Sequence, residues 1–168
     1  MFKVNDYVMT VSSGVCQITD IAKGVEGAGT DYYVLYPVYQ NNMTLKIPVH
    51  NANVLMRPIL TKTEVLSLIA TMPTKDTLFI HDNRERINTF KSTVRTGSNE
   101  DLIKVIKTLY LEQQAKSAVN KKLPKAEEDI MNTAEKKLCE EFAIALNIPP
   151  DKVVPYILDT ISQLEQEF

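Results

Sequence analysis

Two cysteines, two histidines and one run of carboxylates carry most of the reactive side-chain chemistry in this sequence. A thiol beside an imidazole makes a nucleophile, so Cys16 and His50 would suit covalent chemistry, but no motif brings them together. His81-Asp82 sets an imidazole beside a carboxylate with no nucleophile to serve, and it reads as the approach to a helix start. Glu127-Glu128-Asp129 offers oxygen ligands for a cation, yet it falls just after Pro124, where carboxylates favour the positive end of a helix. Gly24, Gly27 and Gly29 lack the Lys-Ser/Thr of a P-loop and the helix of a dinucleotide fingerprint, and read as a flexible turn. The pattern therefore points to no catalytic residue, no cofactor and no metal, and to a protein that is not an enzyme.

The basic residues carry a stronger signal. Arg84, Arg86, Lys91 and Arg95 fall in one short stretch, with Lys104, Lys107, Lys121 and Lys122 beyond it. Such a group neutralises phosphates, or else forms a solvated helix face paired with Glu85, Glu100 or Asp101 for little energy. Residues 1–77 balance six Lys/Arg against six Asp/Glu. Residues 78–122 carry nine basic and five acidic residues, and residues 123–168 four basic and ten acidic, so a basic middle precedes an acidic tail. The 168 residues allow one or two domains. Cys16 and Cys139 stand alone, which fits a reducing compartment. No apolar run approaches the roughly 18 residues of a membrane helix, and Met1–Asp6 lacks a signal peptide's apolar core. A cytoplasmic protein without a membrane role is expected.

The elements that would position these residues change character part-way along the chain. Tyr7–Val11, Val15–Ile21, Tyr32–Tyr39, Thr44–Val49 and Asn53–Arg57 read as short strands, the last one weakly patterned. Five strands in so short a span imply a small barrel or a strongly bent sheet. Gln40-Asn41-Asn42 supplies a hairpin turn, since Asn tolerates the left-handed conformation. Leu45, Ile47 and Val49 alternate with Thr44, Lys46 and Pro48, which turns Lys46 outward. Pro48 has no N–H for a ladder, so this is an edge strand or one that ends there. Thr44, Leu45, Lys46, Ile47 and Pro48 thus form a border where another protein can add a strand.

Beyond it, Thr61-Lys62-Thr63-Glu64 has capping-box spacing and opens a short helix, and Met72–Asp76 reads as a hinge. Helical pattern then runs from Leu78, with Ile80, Ile87, Phe90 and Val94 on one face and a stop at Thr96-Gly97. Ser98–Asp101 caps a helix whose apolar stripe is Leu102, Val105, Ile106, Leu109 and Tyr110. Pro124 reads as a first-turn residue before the stripe Ile130, Ala134, Leu138, Phe142 and Ala145. Asn147–Pro150 breaks that helix, and Val153–Leu164 forms the last. The expected architecture is α+β, with a β domain at 1–60, a short helix and linker at 61–77, and an all-α domain at 78–168.

Phe2-Lys3-Val4-Asn5-Asp6-Tyr7-Val8, Gly14-Val15-Cys16-Gln17-Ile18, Tyr32-Tyr33-Val34-Leu35 and Thr44-Leu45-Lys46-Ile47-Pro48-Val49 resemble, in order and spacing, the CarD/CdnL family of bacterial transcription regulators. Leu55-Met56-Arg57, Arg84-x-Arg86, Arg95-Thr96-Gly97 and Leu102–Tyr110 continue the likeness. The resemblance implies a small Tudor/SH3-like N-terminal β-barrel that binds the RNA polymerase β subunit, a module shared with the transcription-repair coupling factor. It also implies a helical domain that contacts promoter DNA at the upstream edge of the bubble and stabilises the open complex. Such a regulator is expected to be a monomer, cytoplasmic and associated with the nucleoid through polymerase. Lys46 occupies the place of a basic residue that meets the polymerase in the family. Family members commonly wedge a Trp into the minor groove, and this chain has no Trp. Phe79 is the nearest equivalent, as an apolar wedge or as a core residue. DNA contact is thus assigned to Phe79, Arg84, Arg86, Lys91 and Arg95, on minor groove and phosphates. The alternative is a module that docks on polymerase without touching DNA. A Tudor-like domain also raises a methyl-lysine cage from Tyr32, Tyr33, Tyr36 and Tyr39, although strand alternation would split these between core and surface.

Overall fold

The computed structural model describes residues 1–24 and 29–166. Gly27 of the expected glycine turn lies outside them. The chain divides into two compact units, Met1–Thr61 and Lys62–Phe168.

The first unit is a curled antiparallel sheet of five strands, β1 (Tyr7–Thr10), β2 (Gly14–Ala22), β3 (Tyr32–Pro37), β4 (Leu45–Pro48) and β5 (Met56–Pro58), in the order β4-β3-β2-β1-β5. It forms a Tudor-like half-barrel. Apolar alternation places Val8, Cys16, Ile18, Tyr33, Leu35 and Ile47 on one concave face, with Ala52 and Met56 closing it. Asn42 takes a positive φ of 64° in the turn expected at Gln40–Asn42, and Gly14 one of 69° between β1 and β2.

The expected strand Asn53–Arg57 is replaced by a helical turn, α1 (Ala52–Leu55), and a strand that starts only at Met56. Seven residues, Val49–Leu55, join β4 to β5 at the opposite edge of the sheet. Coiled as tight helical turns they reach about 10–14 Å, whereas five flat strands would set those edges about 19 Å apart. The short connection and the curl of the sheet require each other.

In the second unit α5 (Lys125–Leu146) is the hub, packing on α2 (Lys62–Thr71), α3 (Asn83–Thr96), α4 (Asn99–Ser117) and α6 (Val153–Gln166). Its Ile130, Ala134, Leu138 and Phe142 are buried, as their spacing predicts. Val65 and Ile69 of α2 are also buried, so α2 packs within this unit. Tyr110 departs from the expected stripe and is 44% exposed, with Ile103 buried instead.

The helix expected from Leu78 begins at Asn83. Asp82 caps it, accepting the Glu85 N–H at 2.9 Å. The preceding backbone bonds elsewhere: the Leu78 N–H donates to the Thr108 hydroxyl, and carbonyls of Met72, Pro73 and Lys75 accept from Lys107. Pro124 sits at the N-cap of α5, one place before the first turn. Among the described residues no helix is long and apolar enough to cross a membrane.

Candidate functional site

β4 pairs with β3 in the register Tyr33↔Ile47 and Val34↔Lys46, and among the described residues no strand pairs on its other side. Just past the strand, the Val49 N–H donates to the Asp31 carbonyl at 3.0 Å. Hydrogen-bonded pairs alternate along an antiparallel ladder. Leu45, Ile47 and Val49 therefore direct their backbone groups at β3, and Lys46 and Pro48 direct theirs outward. Lys46 offers a further strand both an N–H and a C=O, and Pro48 a C=O alone. Thr44 and the Lys46 side chain are exposed, Leu45 and Pro48 half-buried, and Ile47 is buried in the core.

The other edge is closed to such pairing. Val11 N–H donates to the Leu55 carbonyl at 3.1 Å, so by the same alternation Arg57 faces β1 while Met56 and Pro58 face out. The Met56 N–H turns back to the Ala52 carbonyl, and Pro58 has none. β5 thus presents no outward donor, a common protection of sheet edges. Of the two outermost strands among the described residues, β4 is the one open to strand addition, at Lys46.

Phe79 is 80% exposed and is not a core residue; its ring stands edge-on to His81 with centroids 4.6 Å apart. It precedes α3, on which Arg84, Asn88, Lys91 and Arg95 recur at i, i+4, i+7 and i+11 and are all exposed. They form a stripe about 16 Å long. Asp82 and Glu85 lie at its start, so positive charge grows toward Lys91 and Arg95. There Lys137 of α5 donates to the carbonyls of Val94 and Arg95 at 2.7 and 3.2 Å, placing another cation at the negative end of the helix. A shallow depression of about 570 Å³ along α3 is lined by the carboxylates Asp82 and Glu85 as well as by Arg84, Asn88, Thr89, Ser92 and Thr93, so its polar lining is mixed in charge.

Arg86 does not join this stripe. Its side chain is only 15% exposed, hydrogen-bonds to Glu112, lies 3.5 Å from Glu127 and covers the ring of Phe90 at 5.1 Å. Two positions, about 200° around α3, separate a solvent-facing arginine from one that ties three helices together. Glu127, first of the carboxylate run, is consequently buried against Arg86. Among the described residues no three His, Cys, Asp or Glu side chains gather as metal ligands.

Cys16 is fully buried, its thiol against Thr10 and the Gly14 carbonyl, and burial pushes its pKa up. His50 is exposed at the turn after β4. The tyrosines split between the sheet's faces: Tyr33 is in the core, edge-on to Phe2, while Tyr36 is half exposed. Asn88 and Lys137 escaped sequence reasoning. Asn88 was legible in the helical spacing of the arginines, but Lys137 comes from a distant helix and was not.

The fold and these surfaces define a two-unit protein, a Tudor-like sheet with one open edge followed by a helical unit with an exposed aromatic beside a cationic helix. Residues 2–60 match the CarD-like/TRCF RID domain, and residues 64–158 match the CarD C-terminal domain. The chain belongs to the CarD/CdnL family. It is a transcription-associated protein that interacts with RNA polymerase, from a family of non-enzymatic transcription factors. A comparison with curated proteins finds no match.

Proposed function

We propose that the protein docks on the RNA polymerase β subunit through Thr44–Pro48 and stabilises the promoter open complex through its helical unit. Strand addition at Lys46 supplies backbone hydrogen bonds, and the outward ammonium meets acidic side chains of the partner. Phe79 enters the minor groove at the upstream edge of the bubble as an apolar wedge. Arg84, Lys91 and Arg95 neutralise phosphates along α3. The protein acts as a cytoplasmic monomer, brought to the nucleoid by polymerase.

The observation that carries this reading is the pairing of an 80% exposed Phe79 with an outward cationic stripe on the helix that follows it. An aromatic ring left in water is costly, on the order of 2 kcal/mol relative to burial, which a wedge recovers when bases cover it. The test is open-complex lifetime on a promoter with Phe79→Ala, beside polymerase binding by Lys46→Glu. The reading expects a several-fold shorter lifetime for the first and lost binding for the second. Retained binding by Lys46→Glu would refute the docking edge. A lifetime unmoved by Phe79→Ala, with no protection of upstream bubble DNA, would leave a module that docks without DNA contact.

A further inference from the structure

Phe79 stays in water, its ring edge-on to the His81 ring. The segment before it is fastened to α4 at three points. Lys107 Nζ donates to the carbonyls of Met72, Pro73 and Lys75 at 3.2, 3.0 and 2.7 Å. An ammonium has three donors, so all three are spent. One residue on, the Thr108 hydroxyl accepts the Leu78 N–H at 2.9 Å while donating to the Lys104 carbonyl at 2.7 Å. Near the start of α4, Glu100 lies 3.7 Å from the Lys75 ammonium, whose side chain is 18% exposed. On the far side, Asp82 is fixed as the cap of α3. Phe79 therefore projects from a short span pinned at Leu78 and at Asp82.

We infer that Lys107 and Thr108 are positioning residues that hold Phe79 out for insertion. Lys107 belongs by sequence to the basic middle of the chain, but its three donors are taken up inside the protein and none is left for phosphate. A free segment would let the ring fold back onto the apolar surface of its own unit, and DNA would have to pull it out again; the clamp removes that step before binding. The inference rests on Phe79 being the DNA wedge.

The test is a double-mutant cycle on open-complex lifetime with the full chain and polymerase. Lys107→Met keeps the length of the side chain and removes its donors. Thr108→Val keeps its shape and removes the acceptor for Leu78. Each is expected to shorten the lifetime roughly three- to tenfold, with polymerase binding unchanged, and to add nothing further in a Phe79→Ala background. Backbone hydrogen exchange across Leu78–Asp82 in the free protein should speed up in both variants, which keeps the clamp testable if one variant loses overall stability. Equal losses with and without Phe79, or unaltered lifetime and exchange, would overturn the inference. A Phe79→Ala variant with full lifetime, beside faster exchange in the clamp variants, would sink the wedge and leave the clamp standing.

Discussion

Replacing Arg86 by Met keeps most of the side chain's volume and removes a cation from between two carboxylates. In the native unit the guanidinium hydrogen-bonds to Glu112 and lies 3.5 Å from a Glu127 side chain that is 10% exposed. Near an effective dielectric of about 20, unit charges about 4 Å apart attract by about 4 kcal/mol. The cost of keeping Arg86 itself out of water offsets part of this. What remains after truncation is a buried carboxylate without its partner, and breaking such pairs costs about 3–5 kcal/mol. The stacking over Phe90 adds about 0.5–1 kcal/mol. We expect Arg86→Met to lose about 3 kcal/mol at pH 7, a large part of the 5–15 kcal/mol that typically stabilises a domain. Urea unfolding at pH 7 reads the loss, and adding Glu127→Gln, which removes the unpaired charge, should restore part of it. A loss under about 1 kcal/mol would refute the network. A stable variant that instead bound promoter DNA more weakly would return Arg86 to the DNA-facing set.

Three further outcomes follow from other parts of the fold. A Cβ at Gly97 would lie 2.5 Å from the Thr93 carbonyl oxygen, so Gly97→Ala should destabilise by about 1–3 kcal/mol; an unchanged melting temperature would contradict this geometry. Burial, with Glu135 and Glu140 nearby, pushes the Cys139 thiol up to about 11, so at pH 8 roughly one molecule in a thousand carries the reactive thiolate. Native alkylation by iodoacetamide should therefore be slow at Cys139 and slower still at buried Cys16, both reacting promptly in urea. Burial also holds the Glu135 carboxyl above its ordinary value of 4.5; its charged form opposes folding, a penalty relieved as pH falls through the raised value. Glu135→Gln should melt higher than the native protein at pH 7 and lose that advantage in acid, and an equal shift at all pH values would argue against the cause.

Much of this protein can be read from residue order alone, because local rules fix what local residues do. Pro48 denies a strand its donor and so marks an edge; Asn42 accepts a left-handed turn; Ser98 caps the helix it precedes. The α+β division and the apolar stripe of α5 follow from periodicity. The turn at Ala52–Leu55 did not, since its residues favour neither state clearly and the need to join opposite edges of a curled sheet bends them into a helix. Nor did the fates of Arg84 and Arg86, identical in type and two positions apart. One meets solvent and the other Glu112 and Glu127, from helices far along the chain. Lys107 likewise reads as a cation for a partner and serves as a clasp on a backbone thirty-odd residues before it. Sequence determined which residues carry charge and which cannot pair; packing determined where each charge is spent, because desolvation and hydrogen-bond partners exist only once the helices have met.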